Sequence, residues 1–406
     1  MTNSPEQSSP VNNGPLAGIR VLELGSLIAG PFASRMLGEF GAEVIKVETP
    51  GTGDPIRKWR VLHEGNSLWW AVQARNKKSI TLNLKAEEGL AVLRKLIESA
   101  DMLVENFRPG QLEKWGLSPE QLQALNPGLI VVRLSGYGQT GPYKDRPGFG
   151  AIAESIGGMR FLSGDTDRPP VRVGISIGDS LAGLHAVIGA LMALQHRHKT
   201  GKGQVVDVAL YESVFNMMES LLPEYDFAGV VRKRSGASLP GIVPSNTYTC
   251  GCGGFIVIGG NGDAIFKRLM IAIGRSDFAE NPDMASNDGR VRHTELIDDT
   301  IAQWCKERSI DEALEVLEKA DVPVSKIYSI EDIVHDPQFA ARGMIEEHAF
   351  GEDRTLKVPG IVPKLSDTPG QTRWLGPKLG EHNAQVLEGL GYSAEEIQRM
   401  VDDGVI

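Results

Sequence analysis

The sequence predicts an α/β protein built on a parallel sheet. Two observations carry that expectation. Short apolar runs alternate with helix-period stretches through the first half of the chain, and the same rhythm returns near its end. Residues 19–24 form a short apolar strand, 31–40 have helical spacing that stops at Gly41, and 42–47 form a second strand. Residues 79–84 alternate, 85–100 form a strongly amphipathic helix, and 102–107 and 129–134 are further buried strands. Another strand over 204–210 leads into a helix from Tyr211. Strands separated by helices argue for parallel pairing with helices on both faces.

The texture changes near Asp226. Residues 231–249 are basic and punctuated by Gly and Pro, 255–258 read as a strand, 263–273 as a helix, and 288–320 as two more helices. The strand–helix rhythm resumes at Val322. We therefore expect a large Rossmann-like parallel-sheet domain over 15–225 and 325–406, a smaller inserted α/β domain with linkers over 226–324, and a disordered tail over 1–14.

Composition excludes several functions. With 406 residues and 41% hydrophobic content the chain has ample material for a core. A formal net charge of −10 argues against nucleic acid or an anionic membrane as the partner. No run of about 18 apolar residues stands out, so no membrane span is expected. The Ser/Asn/Pro-rich start lacks the features of a signal peptide. Cys250, Cys252 and Cys305 give neither a disulfide framework nor a zinc ligand set, which fits a reducing cytoplasm and no metal. An anionic small ligand would need a local basic patch, for which Lys77, Lys78, Lys85, Arg108, Lys114 and Arg146 are candidates.

The first βα turn runs from Gly25 to Gly30, with Pro31 where a P-loop has its Lys, and no G-x-G-x-x-G is present. Neither triphosphate hydrolysis nor nicotinamide chemistry is supported. The turn still lies where open α/β sheets bind ligands, as do Asn106 and Arg108 after a later strand. Asp179 follows Gly178 and opens a long apolar-periodic stretch. A carboxylate there is favoured by the orphan N–H groups of a helix start, and position alone makes it an ordinary helix-start Asp. His185 lies six residues on, about 600° around a helix, so the two do not share a face and form no acid–base pair.

Taken together, these blocks resemble the family III CoA-transferases, the group that contains formyl-CoA transferase, carnitine CoA-transferase and α-methylacyl-CoA racemase. The likeness is carried by residues 18–24 (GIRVLEL), 37–48 (LGEFGAEVIKVE), 76–80 (NKKSI), 104–110 (VENFRPG), 135–138 (SGYG), 178–180 (GDS), 197–204 (RHKTGKGQ) and 379–382 (LGEH), in order from Leu16 onward. It implies that Asp179 is the nucleophilic carboxylate, passing through a mixed anhydride to an aspartyl-CoA thioester. It implies CoA contacts at Leu27, Ile28, Ala29, Leu82, Lys85, Asn106 and Phe107, and a further one at Lys114. Thr49 replaces a basic residue of the family, a loss for which Arg146 compensates. It also implies an interlocked homodimer, with coenzyme A as a substrate and no permanently bound cofactor. Racemases of this fold place a His-Asp pair in the stretch equivalent to Phe149-Gly150, neither of which takes a proton, so racemisation is the alternative and weaker expectation. Residues 238–244 (SLPGIVP) replace the glycine-rich loop of formyl-CoA transferase. The expected reaction is CoA transfer from a donor such as succinyl-CoA to a carboxylic, here dicarboxylic, acid. The acceptor's second carboxylate needs a cation, for which Arg57, Arg75 and Arg172 are candidates.

Overall fold

The computed structural model describes residues 14–406, and residues 1–13 of the expected tail lie outside the described residues. The chain divides into two compact units. The first comprises residues up to Met159, Val173–Leu222 and Arg342–Ile406, and the second Arg160–Arg172 and Pro223–Ala341.

The first unit is built on six strands: β1 (Arg20–Glu23), β2 (Glu43–Glu48), β3 (Lys77–Thr81), β4 (Met102–Glu105), β5 (Ile130–Ser135) and β6 (Val205–Ala209). Their spatial order is 3-2-1-4-5-6 and every pairing is parallel. This is the doubly wound order, and it has a topological switch point between β1 and β4, where the chain leaves the sheet in opposite directions. Helices α1 (Ala29–Glu39) and α2 (Glu87–Glu98) make two of the crossovers. In α2, Leu93, Leu96 and Ile97 recur at helical spacing and are fully buried in one core cluster with Leu22, Ile45 and Leu103. Each such burial contributes about 1.5–3 kcal/mol.

Two further helices shape the site. α3 (Gly150–Ile156) is short, and α4 (Ile177–Thr200) has 24 residues. α4 ends at Gly201, whose φ of 73° suits a left-handed C-cap, after a basic last turn of Arg197, His198 and Lys199 that complements the helix dipole. α5 (Leu210–Phe215) follows β6 directly. Contrary to the expectation from the sequence, α4 is long and apolar enough to cross a membrane by length and composition, with a mean hydropathy of 1.6 over its best window. The reading missed it because Gly and Ala dilute the run to the eye. The helix packs on α1, α3 and α5, and 44% of that window is buried within the chain.

The second unit has a three-stranded antiparallel sheet of β7 (Ser245–Thr249), β8 (Phe255–Gly259) and β9 (Val324–Lys326), with β8 in the centre. Helices α6 (Asp263–Ala272), α7 (Thr294–Lys306) and α8 (Ile310–Lys319) cover it. The expected large domain includes residues from 325 onward. Here β9 pairs with β8 and completes this smaller sheet, and Arg160–Arg172 clusters with it as well. Local periodicity carries no signal for which sheet a three-residue strand joins.

Candidate active site

The carboxyl ends of β1, β2 and β4 open into a cleft of about 600 Å³. Its walls are largely apolar, with Leu82, Leu84, Phe107 and Trp115 among them, and the Gly25–Ser26 turn forms one side. Phe107 and Trp115 meet edge to face, with centroids 5.2 Å apart. A flat, partly polar ligand fits such a lining.

Beneath the cleft lies a buried charge network across three neighbouring strands. Glu23 pairs in register with Lys46, and Lys46 with Ser79. The Lys46 ammonium lies 2.6 Å from Glu23 Oε1 and 2.9 Å from Asp54 Oδ2, and it donates to the Gly25 carbonyl at 2.8 Å. Lys77 reaches the other Glu23 oxygen at 2.7 Å and donates to the Pro31 carbonyl at 2.7 Å, while Ser34 also donates to Glu23. Burial alone would raise the pKa of Glu23, but the two ammonium groups outweigh it and hold the carboxyl at about 2. Burial, reinforced by repulsion from Lys46, brings Lys77 down to about 8 despite its contact with Glu23. A buried charge left unpaired is strongly destabilising, so each member is held in place by the others.

The structure separates the residues expected to bind the ligand. Leu82, Lys85 and Phe107 line the cleft, as does Thr49. Lys85 is exposed and its ammonium makes no ion pair among the described residues, whereas Lys46 is fully engaged. Leu27, Ile28 and Ala29 continue the turn beyond Ser26. The Asn106 side chain faces the turn and not the cleft lining: it accepts the Ser26 N–H at 2.8 Å and donates to the Ser26 carbonyl at 2.8 Å. Lys114 and Arg146 are exposed and lie outside the cleft lining, and the Arg146 guanidinium sits 3.5 Å over the Tyr143 ring. Arg57 and Arg75 are corrected as acceptor clamps. Arg57 grips Glu48 with two nitrogens at 2.7 and 2.8 Å, and the buried Arg75 holds Glu39 at 2.5 and 2.6 Å. Both guanidiniums already hold a carboxylate of the chain. Lys46, Asp54 and Trp115 also belong to the cleft lining, and no local pattern in the sequence marks them.

Asp179 is the third residue of α4 and is half-buried. It abuts Gly150, the first residue of α3. A Cβ built on Gly150 would lie 2.0 Å from Asp179 Oδ2 and 2.6 Å from its Cγ, so the carboxylate occupies the space a side chain would fill. One turn later, Gly183 lets α1 approach: its Cβ would lie 3.1 Å from the Ala29 carbonyl oxygen and 2.7 Å from Phe32 Cδ1. Gly25 and Ser26 thus line the cleft, while α1, which follows them, packs on the helix of Asp179. His185 is engaged elsewhere, 2.9 Å from the Leu181 carbonyl and 3.3 Å from the Asn216 amide.

Known proteins resemble this chain over most of its length. A succinyl-CoA–D-citramalate CoA-transferase of Chloroflexus aurantiacus is 49% identical over 93% of this chain and 94% of its own length. The beta subunit of a succinyl-CoA–L-malate CoA-transferase of the same species is 42% identical over 97% of this chain and 98% of its own. The crystal structure of a CAIB/BAIF family protein from Brucella suis superposes with a TM-score of 0.81 at 34% identity, covering 93% of this chain and all of that one. Residues 16–383 match the model of CoA-transferase family III, and the chain belongs to that family.

Proposed function

We propose that this enzyme moves CoA from succinyl-CoA to a 2-hydroxy dicarboxylic acid with a four-carbon backbone, of the malate or citramalate type, with Asp179 as the carboxylate that carries the CoA. The observation that carries the mechanism is the Asp179 carboxylate packed on a residue without a side chain at the start of a helix that packs on α1, the helix following the turn that walls the cleft. The choice of acids is supported by the relatives that act on citramalate and malate.

The chemistry needs no net proton transfer. An Asp179 oxygen attacks the thioester carbonyl, the C–S bond breaks, and CoA thiolate leaves a mixed anhydride. The thiolate attacks the Asp179 carbonyl carbon and releases succinate, giving the aspartyl-CoA thioester. The acceptor carboxylate then attacks that thioester and expels thiolate, which takes the acceptor acyl group and regenerates the Asp179 carboxylate. Covalent catalysis divides one difficult exchange into easier steps. The N-terminal end of α4 favours the ionised carboxylate. The CoA nucleotide lies in the cleft, with Phe107 and Trp115 beside the base and Lys85 near a phosphate. The racemase alternative gains nothing, since neither Phe149 nor Gly150 offers a base.

Two wider parts of this reading concern assembly and location. Leu184, Ile188, Leu191 and Met192 on α4 are exposed, Met192 at 68%, and a second copy of the chain, interlocked with the first, is the cover we propose. Three free cysteines support a reducing, cytoplasmic setting. Incubation with succinyl-CoA and a panel of acids, read by mass spectrometry, should give malyl- or citramalyl-CoA, and hydroxylamine should trap Asp179 only when acyl-CoA is present. Release of free CoA without a new thioester would overturn the reading. Light scattering should give a dimer mass; a monomer would remove the interlocked assembly.

A further inference from the structure

We infer that Asp54 is a positioning residue for acyl-CoA, acting through the backbone of Leu27 in the first βα turn. The inference rests on the reading of the cleft as the acyl-CoA site.

Leu27 has a φ of 67°, a left-handed conformation that residues with a Cβ rarely adopt. It must be held there. Asp54 does so: both of its carboxylate oxygens lie 3.1 Å from the Leu27 N–H. The carboxylate is itself fixed. It accepts the Ile56 N–H at 3.0 Å, lies 2.9 Å from the Lys46 ammonium, and its own N–H donates to Glu48 at 2.9 Å. Asp54 is only 3% exposed and forms part of the cleft lining, on the segment that follows β2. Asn106 clamps the preceding residue, Ser26, through both amide atoms. Two elements that begin far apart in sequence therefore dictate the path of four residues, Ser26 to Ala29. Those residues separate the cleft from the first turns of α4, because the Ala29 carbonyl faces Gly183. A hydrogen bond that imposes an unfavourable backbone conformation, beside the cleft, has the form of a positioning device.

Kinetics and calorimetry on the full-length enzyme test this. Asp54→Glu keeps the charge opposite Lys46 but displaces the oxygens by one methylene. It should retain the melting temperature to within a few degrees, yet raise the CoA Kd and the succinyl-CoA KM about ten-fold, while the acceptor KM changes less than about two-fold. Asp54→Asn should do the same with a lower melting temperature. Leu27→Gly introduced into Asp54→Glu should recover most of the lost CoA affinity, because glycine takes positive φ without a carboxylate to impose it. Wild-type Kd and KM in Asp54→Glu, or a further loss on adding Leu27→Gly, would overturn the inference. A wild type that binds CoA but exchanges no acids would sink the transferase proposal alone, and calorimetry would still judge Asp54.

Discussion

The two ends of the site are built in opposite ways. The cleft is complete within one chain: its floor is a cross-strand charge network, its turn is clamped by Asp54 and Asn106, and its aromatic wall is in contact. The Asp179 end is open. Around it Phe149 is 68% exposed and Ile175 60%, and Ile152 and Val173 are nearly half exposed. Apolar side chains beside a reactive carboxylate serve catalysis only when something covers them, since an anhydride in water hydrolyses. The contrast teaches that the cleft is preformed within one chain, whereas the apolar surroundings of Asp179 are not covered by the chain itself; on the proposed reading, nucleotide recognition is ready in advance and the chemical end is completed by a partner subunit, by substrate, or by both.

Asp179→Ala breaks the comparison most sharply. It should lower kcat by at least about a thousand-fold and leave the CoA Kd within about three-fold. Equal loss of both would mean that the two ends are not separable. Gly150→Ala comes next. Its Cβ would overlap the carboxylate, which must leave its place, and misplacement of about 1 Å costs on the order of a hundred-fold in rate. CoA affinity should again be unchanged. Near-normal turnover in Gly150→Ala would show that Asp179 reacts from another position.

Much of this was legible in the sequence, and the reasons differ by residue. The six-strand alternation announced the sheet because buried parallel strands are continuous apolar runs. Leu82, Lys85 and Phe107 reach the cleft because they follow strands at their carboxyl ends, which any open α/β fold uses. Glu23, Lys46 and Asp54 were illegible. A charged residue reads as solvated unless its partner is known, and these partners lie 23 and 8 positions from Lys46 in sequence. The same blindness made Arg57, Arg75 and Asn106 look available to a ligand when the chain itself occupies them. The boundary at 160–172 was missed because a segment's allegiance to a domain is decided by packing and leaves no local pattern.

Titration sharpens the cleft side of the comparison. Lys77 is held at about 8, below its ordinary 10.5. Between those values the unfolded chain binds the proton and the folded chain does not, so this group's contribution to stability rises as pH rises. Over 2.5 units, the difference of the two values, the gain is about 3 kcal/mol. Denaturant unfolding of the wild type and Lys77→Met across that window should show the wild type gaining this amount of stability relative to the variant. A constant gap would mean that Lys77 stays charged throughout. Glu23 acts in the acid range with the same sign: with its carboxyl held at about 2, its contribution is full above 4.5 and is lost as pH falls through 2.

The smallest effect concerns the rim of the cleft. Lys85, Lys114 and Arg146 were all candidates for CoA phosphates, and they are not equivalent. Lys85 lines the cleft with an ammonium that makes no ion pair among the described residues, while Lys114 and Arg146 lie outside the lining. An exposed ammonium interacts with a phosphate through water and salt, so its removal is felt modestly. Lys85→Ala should raise the CoA Kd about five-fold and flatten its dependence on ionic strength, whereas Lys114→Ala and Arg146→Ala should change it less than about two-fold. None of the three should alter kcat at saturating donor. Should Lys114→Ala or Arg146→Ala match Lys85→Ala, the phosphates extend beyond the preformed cleft, and even the nucleotide half of the site would be completed only when substrate binds.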